Sequence, residues 1–166
     1  PGTSILRACQ TLAKELPVFC YHPRLKVAGN CRMCLVEVEK APKLAAACVT
    51  EVAEGMVVHT KTPQLEKSRK GILELLLINH PLDCPICDQG GECDLQDLTI
   101  NYGPGSSRYQ FYKRAVSNKY MGPFIKTFMN RCIHCTRCVR FATDIAGIEE
   151  IGTRGRGEHT EIISYL

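Results

Sequence analysis

Near the start of the chain, apolar side chains recur at helical spacing: Ile5, Leu6, Cys9, Leu12, Ala13 and Leu16 share one face. Thr3 or Ser4 can cap that helix, and Pro17 ends it. From Leu35 the period falls to two. Leu35-Val36-Glu37-Val38-Glu39 predicts a strand, with weaker strands over Leu44–Val49 and Met56–His59. One helix over these strands, with a long loop from Cys20 to Cys34, makes a small α+β unit ending near Thr62. Pro63 opens a second helix, Gln64 to Asn79, that stops at His80-Pro81. Residues 80–94 read as irregular, with a further helix starting near Glu92. A Gly- and Ser-rich turn or linker follows from Asn101. Gly122 to Met129 is an apolar run leading into Cys132. The tail from Ile148 to Leu166 carries glycine or charge every few residues and has no strong period. No segment repeats.

The longest apolar stretch, Ile72 to Ile78, is broken by Glu74 and is far too short to span a membrane. Cysteine changes the picture most, with eleven in 166 residues. Disulfides fit poorly, because the count is odd and the C-x2-C spacing makes weak structural cross-links. Zinc and iron–sulfur clusters remain. The formal charge of +4 hints at nucleic acid, but clusters would reverse it. Two all-cysteine clusters and one with a histidine add roughly −5, leaving a loaded chain at about −1. The basic residues then read as counter-charge for clusters, and nucleic acid is excluded as a partner.

The cysteines fall into three sets. Cys20-x10-Cys31-x2-Cys34-x13-Cys48 suits a 2Fe–2S cluster, with Gly29 and Asn30 allowing the loop to wrap sulfur; a four-cysteine zinc knuckle is the rival. His80-x3-Cys84-x2-Cys87-x5-Cys93 offers three thiolates and an imidazole to a 4Fe–4S cubane, with Gly90 and Gly91 letting the chain double back. A zinc site of three cysteines and one histidine competes there. Cys132-x2-Cys135-x2-Cys138 places three thiolates for a second cubane, but Val139-Arg140-Phe141-Ala142 follows where a fourth cysteine is wanted. The twelfth ligand is either Cys9, which reads better as helix core, or a residue beyond Leu166, which we favour. His134 and Arg137, between the ligands, either shield the cluster or are ordinary surface residues. No acid, base or nucleophile stands out as catalytic.

Several stretches resemble the N-terminal region of the large iron–sulfur subunit of respiratory complex I, the NADH:ubiquinone oxidoreductase. They are Phe19-Cys20-Tyr21-His22, Ala28 to Cys34, Asn79 to Gln96, and Arg131 to Phe141. The resemblance implies a ferredoxin-like β-grasp domain over 1–62, lacking its first hairpin, with a 2Fe–2S cluster on Cys20, Cys31, Cys34 and Cys48. It implies a domain over 63–103 with a 4Fe–4S cluster on His80, Cys84, Cys87 and Cys93. The start of a ferredoxin-like domain over 104–166 would hold a second 4Fe–4S cluster on Cys132, Cys135, Cys138 and a later cysteine. The chain would then be a fragment of a longer subunit, without the family's opening hairpin and long C-terminal region. Its implied role is to relay single electrons toward quinone. Its implied neighbours are the flavin-bearing, NADH-binding subunit and the downstream iron–sulfur subunits of the peripheral arm. The implied place is the matrix side of the mitochondrial inner membrane or the cytoplasmic face of a bacterial one, with no span of its own. Two alternatives stay open: a zinc-binding scaffold, and an electron-relay domain of a hydrogenase or formate dehydrogenase. Phe141-Ala142 disfavours the hydrogenase pattern.

Overall fold

The structure, a computed structural model, describes residues 2–165; Pro1 of the expected opening turn and Leu166 lie outside them. Helix α1 spans Ile5–Thr11, with the Ser4 hydroxyl accepting from the Arg7 amide at 3.3 Å. It stops earlier than the apolar spacing predicts. Ala13 takes a left-handed φ of 54°, and the Lys14 and Ala13 amides return to the Cys9 and Gln10 carbonyls. That closure satisfies the last carbonyls of the helix. It leaves Leu12 exposed, while Leu16 is buried by the returning chain.

Strands β1 (Leu35–Val38), β2 (Ala45–Ala46) and β3 (Val58–His59) form an antiparallel sheet in the order β2-β1-β3. Leu35 faces Ala46 and Glu37 faces His59. Both outer strands are shorter than the sequence pattern suggests. At α1 the first amides, which no helical carbonyl can reach, are met from outside the helix: Ile5 donates to Thr50 and Leu6 to Ala47. Ile5, Leu6, Leu16, Val36, Ala46 and Ala47 make the first core, and Cys9, Cys34 and Cys48 are buried within it.

Helix α2 spans Pro63–Leu77 behind a Thr62 cap, and Thr62 also donates to Glu37 at 2.8 Å. Its inward face is Leu65, Arg69 and Leu73, four residues apart. Leu73 meets Phe19, Met33 and Leu95 in a second core, joining the loop around the first cysteine set to α3, Asp94–Tyr102. The α3 helix starts two residues later than expected, at the aspartates that favour a helix N-terminus.

Beyond Gly103 the chain is irregular to Met129, and the apolar run from Gly122 forms no element; Phe124 is 95% exposed. Helix α4 (Arg137–Phe141) runs into a wider turn over Ala142–Ala146, ended by Gly147 at a φ of 69°. The tail, read as unpatterned, folds as an antiparallel hairpin of β4 (Ile151–Arg154) and β5 (Glu161–Ser164) that buries Ile162. Among the described residues no helix is long and apolar enough to cross a membrane.

Candidate iron–sulfur sites

Each cysteine set sits on a loop that is bent by left-handed residues and closed by hydrogen bonds to the backbone. In the first set the chain turns at Gly29 (φ 64°) and Arg32 (φ 61°). A Cβ at Gly29 would lie 2.6 Å from the Val49 side chain, which would have to shift. The four thiols form two pairs, Cys20 with Cys31 and Cys34 with Cys48, rather than pairing within the C-x2-C step. The hydrogen bond from Cys20 pulls Cys31 down to about 5, helped by the amides of Cys20, Met33 and Phe19. A bond from Cys48 likewise brings Cys34 down to about 7. The donor thiols of both pairs are pushed up. The Cys20 amide also points at the Cys31 sulfur, at 3.4 Å. Such amide-to-sulfur contacts favour thiolate, the form that binds iron.

The second set surrounds one cavity of about 620 Å³ lined by His80, Cys84, Cys87, Gly90 and Cys93. Cys84 opens a single tight turn, and the Gly90 amide closes on the Cys87 carbonyl at 2.9 Å. A Cβ at Gly90 would meet the Cys84 carbonyl oxygen at 2.6 Å, so only glycine lets the loop return this closely. Lys113 donates to the Leu77 and Ile78 carbonyls at the end of α2, and Asn79 accepts from the Arg114 amide. His80 is thereby fixed just past the helix end. Its Nδ1 is buried with no hydrogen-bond partner among the described residues. Burial, with Lys113 nearby, pushes its pKa down and keeps the imidazole neutral. An orphaned buried nitrogen beside three thiols fits a ligand set better than a surface residue.

In the third set, His134 (φ 54°) and Thr136 (φ 60°) alternate with the cysteines. Left-handed conformation in non-glycine residues is costly, and here it curls the chain around the sulfurs. The His134 amide points at the Cys132 sulfur at 3.4 Å. Burial raises Cys132 and Cys138. Cys9 packs in the first core among Ile5, Leu6 and Val36, and burial raises its thiol too.

Four side chains whose contacts spacing could not reveal join the sets. Arg140 donates to the carbonyls of Cys20, Lys26 and Cys135. Arg137 donates to the Tyr21 carbonyl at 2.8 Å and lies 3.7 Å from Asp94. The Asn30 side chain donates to the His134 carbonyl, and Arg131 pairs with Asp83. Arg137 is therefore a tie to the first loop rather than a loose surface residue. The only signal in the sequence is basic residues beside the cysteines, which names no partner for them.

Fold and donor sets define a class, a modular iron–sulfur protein. Residues 1–63 match a 2Fe-2S iron-sulfur cluster binding domain. Residues 69–108 match the NADH-ubiquinone oxidoreductase-G iron-sulfur binding region. Residues 122–166 match the ferredoxin-like domain of NADH-quinone oxidoreductase subunit 3. The G subunit of NADH-quinone oxidoreductase from Rickettsia bellii is 63% identical over 99% of this chain. The NADH-ubiquinone oxidoreductase 75 kDa subunit of Reclinomonas americana is 61% identical over 99%. The chain belongs to the family of these two oxidoreductase subunits. It spans 24% of the length of either relative. A crystal structure of an NAD+-reducing [NiFe]-hydrogenase in the H2-reduced state superposes with a TM-score of 0.89 at 30% identity, covering 99% of this chain and 69% of that one.

Proposed function

We propose that this chain is an electron-relay part of an NADH:quinone oxidoreductase. It would take single electrons from the NADH-oxidising, flavin-bearing subunit and pass them through one 2Fe–2S and two 4Fe–4S clusters toward quinone, handing them on to downstream iron–sulfur subunits. The observation that carries the reading is the cavity ringed by Cys84, Cys87 and Cys93 with the unpartnered His80 nitrogen.

The first cluster falls to Cys20, Cys31, Cys34 and Cys48, the second to His80, Cys84, Cys87 and Cys93. The third falls to Cys132, Cys135 and Cys138 with a cysteine outside these residues. Bound clusters supply one-electron redox centres. The rest is done by the chain's own groups: amides aimed at the Cys31 and Cys132 sulfurs stabilise thiolate, burial shields Cys20, Cys34 and Cys48, and arginines hold the loops at fixed separation. A β-grasp module over 1–62, a module of one histidine and three cysteines over 63–103 and the start of a ferredoxin-like module over 104–166 would carry them. The place of work would be the peripheral arm, on the matrix face of the mitochondrial inner membrane or the cytoplasmic face of a bacterial one.

Two rivals are weaker. A zinc scaffold would leave unexplained the match of residues 1–63 to a 2Fe-2S cluster binding domain and of residues 69–108 to an iron-sulfur binding region. Tetrahedral zinc needs sulfurs about 2.3 Å from one centre, whereas a cluster spreads its ligands around a larger core. A hydrogenase relay rests on the 30% likeness, against identities of 61–63% to the oxidoreductase subunits.

The test is NADH-driven reduction in the assembled complex. We expect NADH to reduce all three centres, and Cys31→Ala to block electron flow to quinone while NADH oxidation by an artificial acceptor continues. Full quinone reduction in that variant would refute the relay.

A further inference from the structure

We propose that Arg140 is a positioning residue shared by the first and third cluster sites, and that its charge raises the reduction potential of both together. This rests on the reading of these sets as cluster sites. The Arg140 guanidinium donates to the Cys20 carbonyl and, at 3.1 Å, to the Cys135 carbonyl, so one planar cation holds a ligand-bearing residue from each set. Its remaining donors go to the Lys26 carbonyl at 2.7 Å and the Thr136 hydroxyl at 3.3 Å. The acid nearest in sequence, Asp144, is taken by Lys26 at 3.3 Å. All of the donor contacts of Arg140 therefore go to neutral oxygens of the two loops. Among the described residues no carboxylate pairs with it, and Arg140 itself is only partly exposed.

A fixed cation favours whichever redox state carries more negative charge, which is the reduced one. Shared between two sites, it lifts both potentials and leaves the difference between them little changed. An electron moving from one site to the other makes and breaks no bond and stays under the same cation. Lysine keeps the charge but lacks the planar fork needed to reach several carbonyls at once.

The experiment is an EPR-monitored redox titration of the cluster-loaded full-length protein carrying Arg140→Met, Arg140→Lys or Arg140→Gln. For Arg140→Met we expect midpoints at the first and third sites to fall, with the His80 site as an unmoved internal reference. Arg140→Lys should keep the potentials but weaken the magnetic interaction between the two sites. A fully loaded Arg140→Met protein with unchanged midpoints, or with all three shifted alike, overturns the proposal. Should Arg140→Met fail to load, the comparison passes to Arg140→Lys and Arg140→Gln. Lower midpoints in the neutral variant support the proposal, and equal midpoints refute it. Absence of iron and sulfide from the unsubstituted protein would instead refute the cluster reading itself.

Discussion

Arg131 donates through Nε to the Asp83 carboxylate at 3.0 Å, tying the residue before Cys132 to the residue before Cys84. Arg140 and Arg137 tie the third set to the first, so the third loop is held from both sides. Each tie is a charged donor on an oxygen next to a ligand, where a small shift in the loop moves a sulfur directly.

Asp83→Asn keeps the shape of this contact and removes its charge. We expect poorer loading of the second and third sites with the first unaffected, read from site-resolved EPR of reduced protein. Arg131→Gln combined with Asp83→Asn should lose no more than Arg131→Gln alone, since Asp83 acts only through that contact. Arg131 also stacks on Phe128, 4.4 Å from the ring centroid, so its methylenes and guanidinium plane remain anchored in the Asp83 variant.

Gly90→Ala asks for space that is not there, because the new Cβ would sit 2.6 Å from the Cys84 carbonyl oxygen and 3.2 Å from that of Cys87. The loop must open, and the second site should lose its cluster while the first keeps its own. Iron content with the 2Fe–2S visible spectrum checks this. Unchanged loading at the second site would show that the loop has slack.

His80→Cys replaces a neutral ligand with a thiolate and so adds one negative charge to the second site. The oxidised form gains relative to the reduced one, and the midpoint should fall. A potentiometric titration that finds it higher would contradict the ligand role of His80.

Arg69 lies 3% exposed in α2 and donates to the Leu35 and Thr60 carbonyls at 3.2 and 3.1 Å, with Tyr102 stacked 5.3 Å away. Arg69→Met leaves those carbonyls without this donor, at a cost of about 2–3 kcal/mol. Denaturant unfolding of the variant should show that loss at an unchanged slope.

What was legible in the sequence follows from how local each determinant is. Thr62-Pro63 marks the start of α2 because a cap and a fixed φ act within one turn. The alternation at Leu35–Val38 gave β1 for the same reason. The end of α1 was missed because it depends on Ala13 adopting a conformation that alanine rarely takes. The β4–β5 hairpin was missed because its loop, from Gly155 to Thr160, carries turns where a pattern search sees only glycine and charge. At the sites, the spacing identified the donor sets, but the arginine ties join residues 116 and 120 positions apart. No local rule encodes such a pairing.

The most direct measurement is the iron and acid-labile sulfide content of the protein prepared anaerobically with cluster-assembly machinery. A single 2Fe–2S and two 4Fe–4S clusters require about ten irons and ten sulfides per full-length protein, with colour bleaching on reduction. A colourless protein holding zinc and no sulfide would contradict the account.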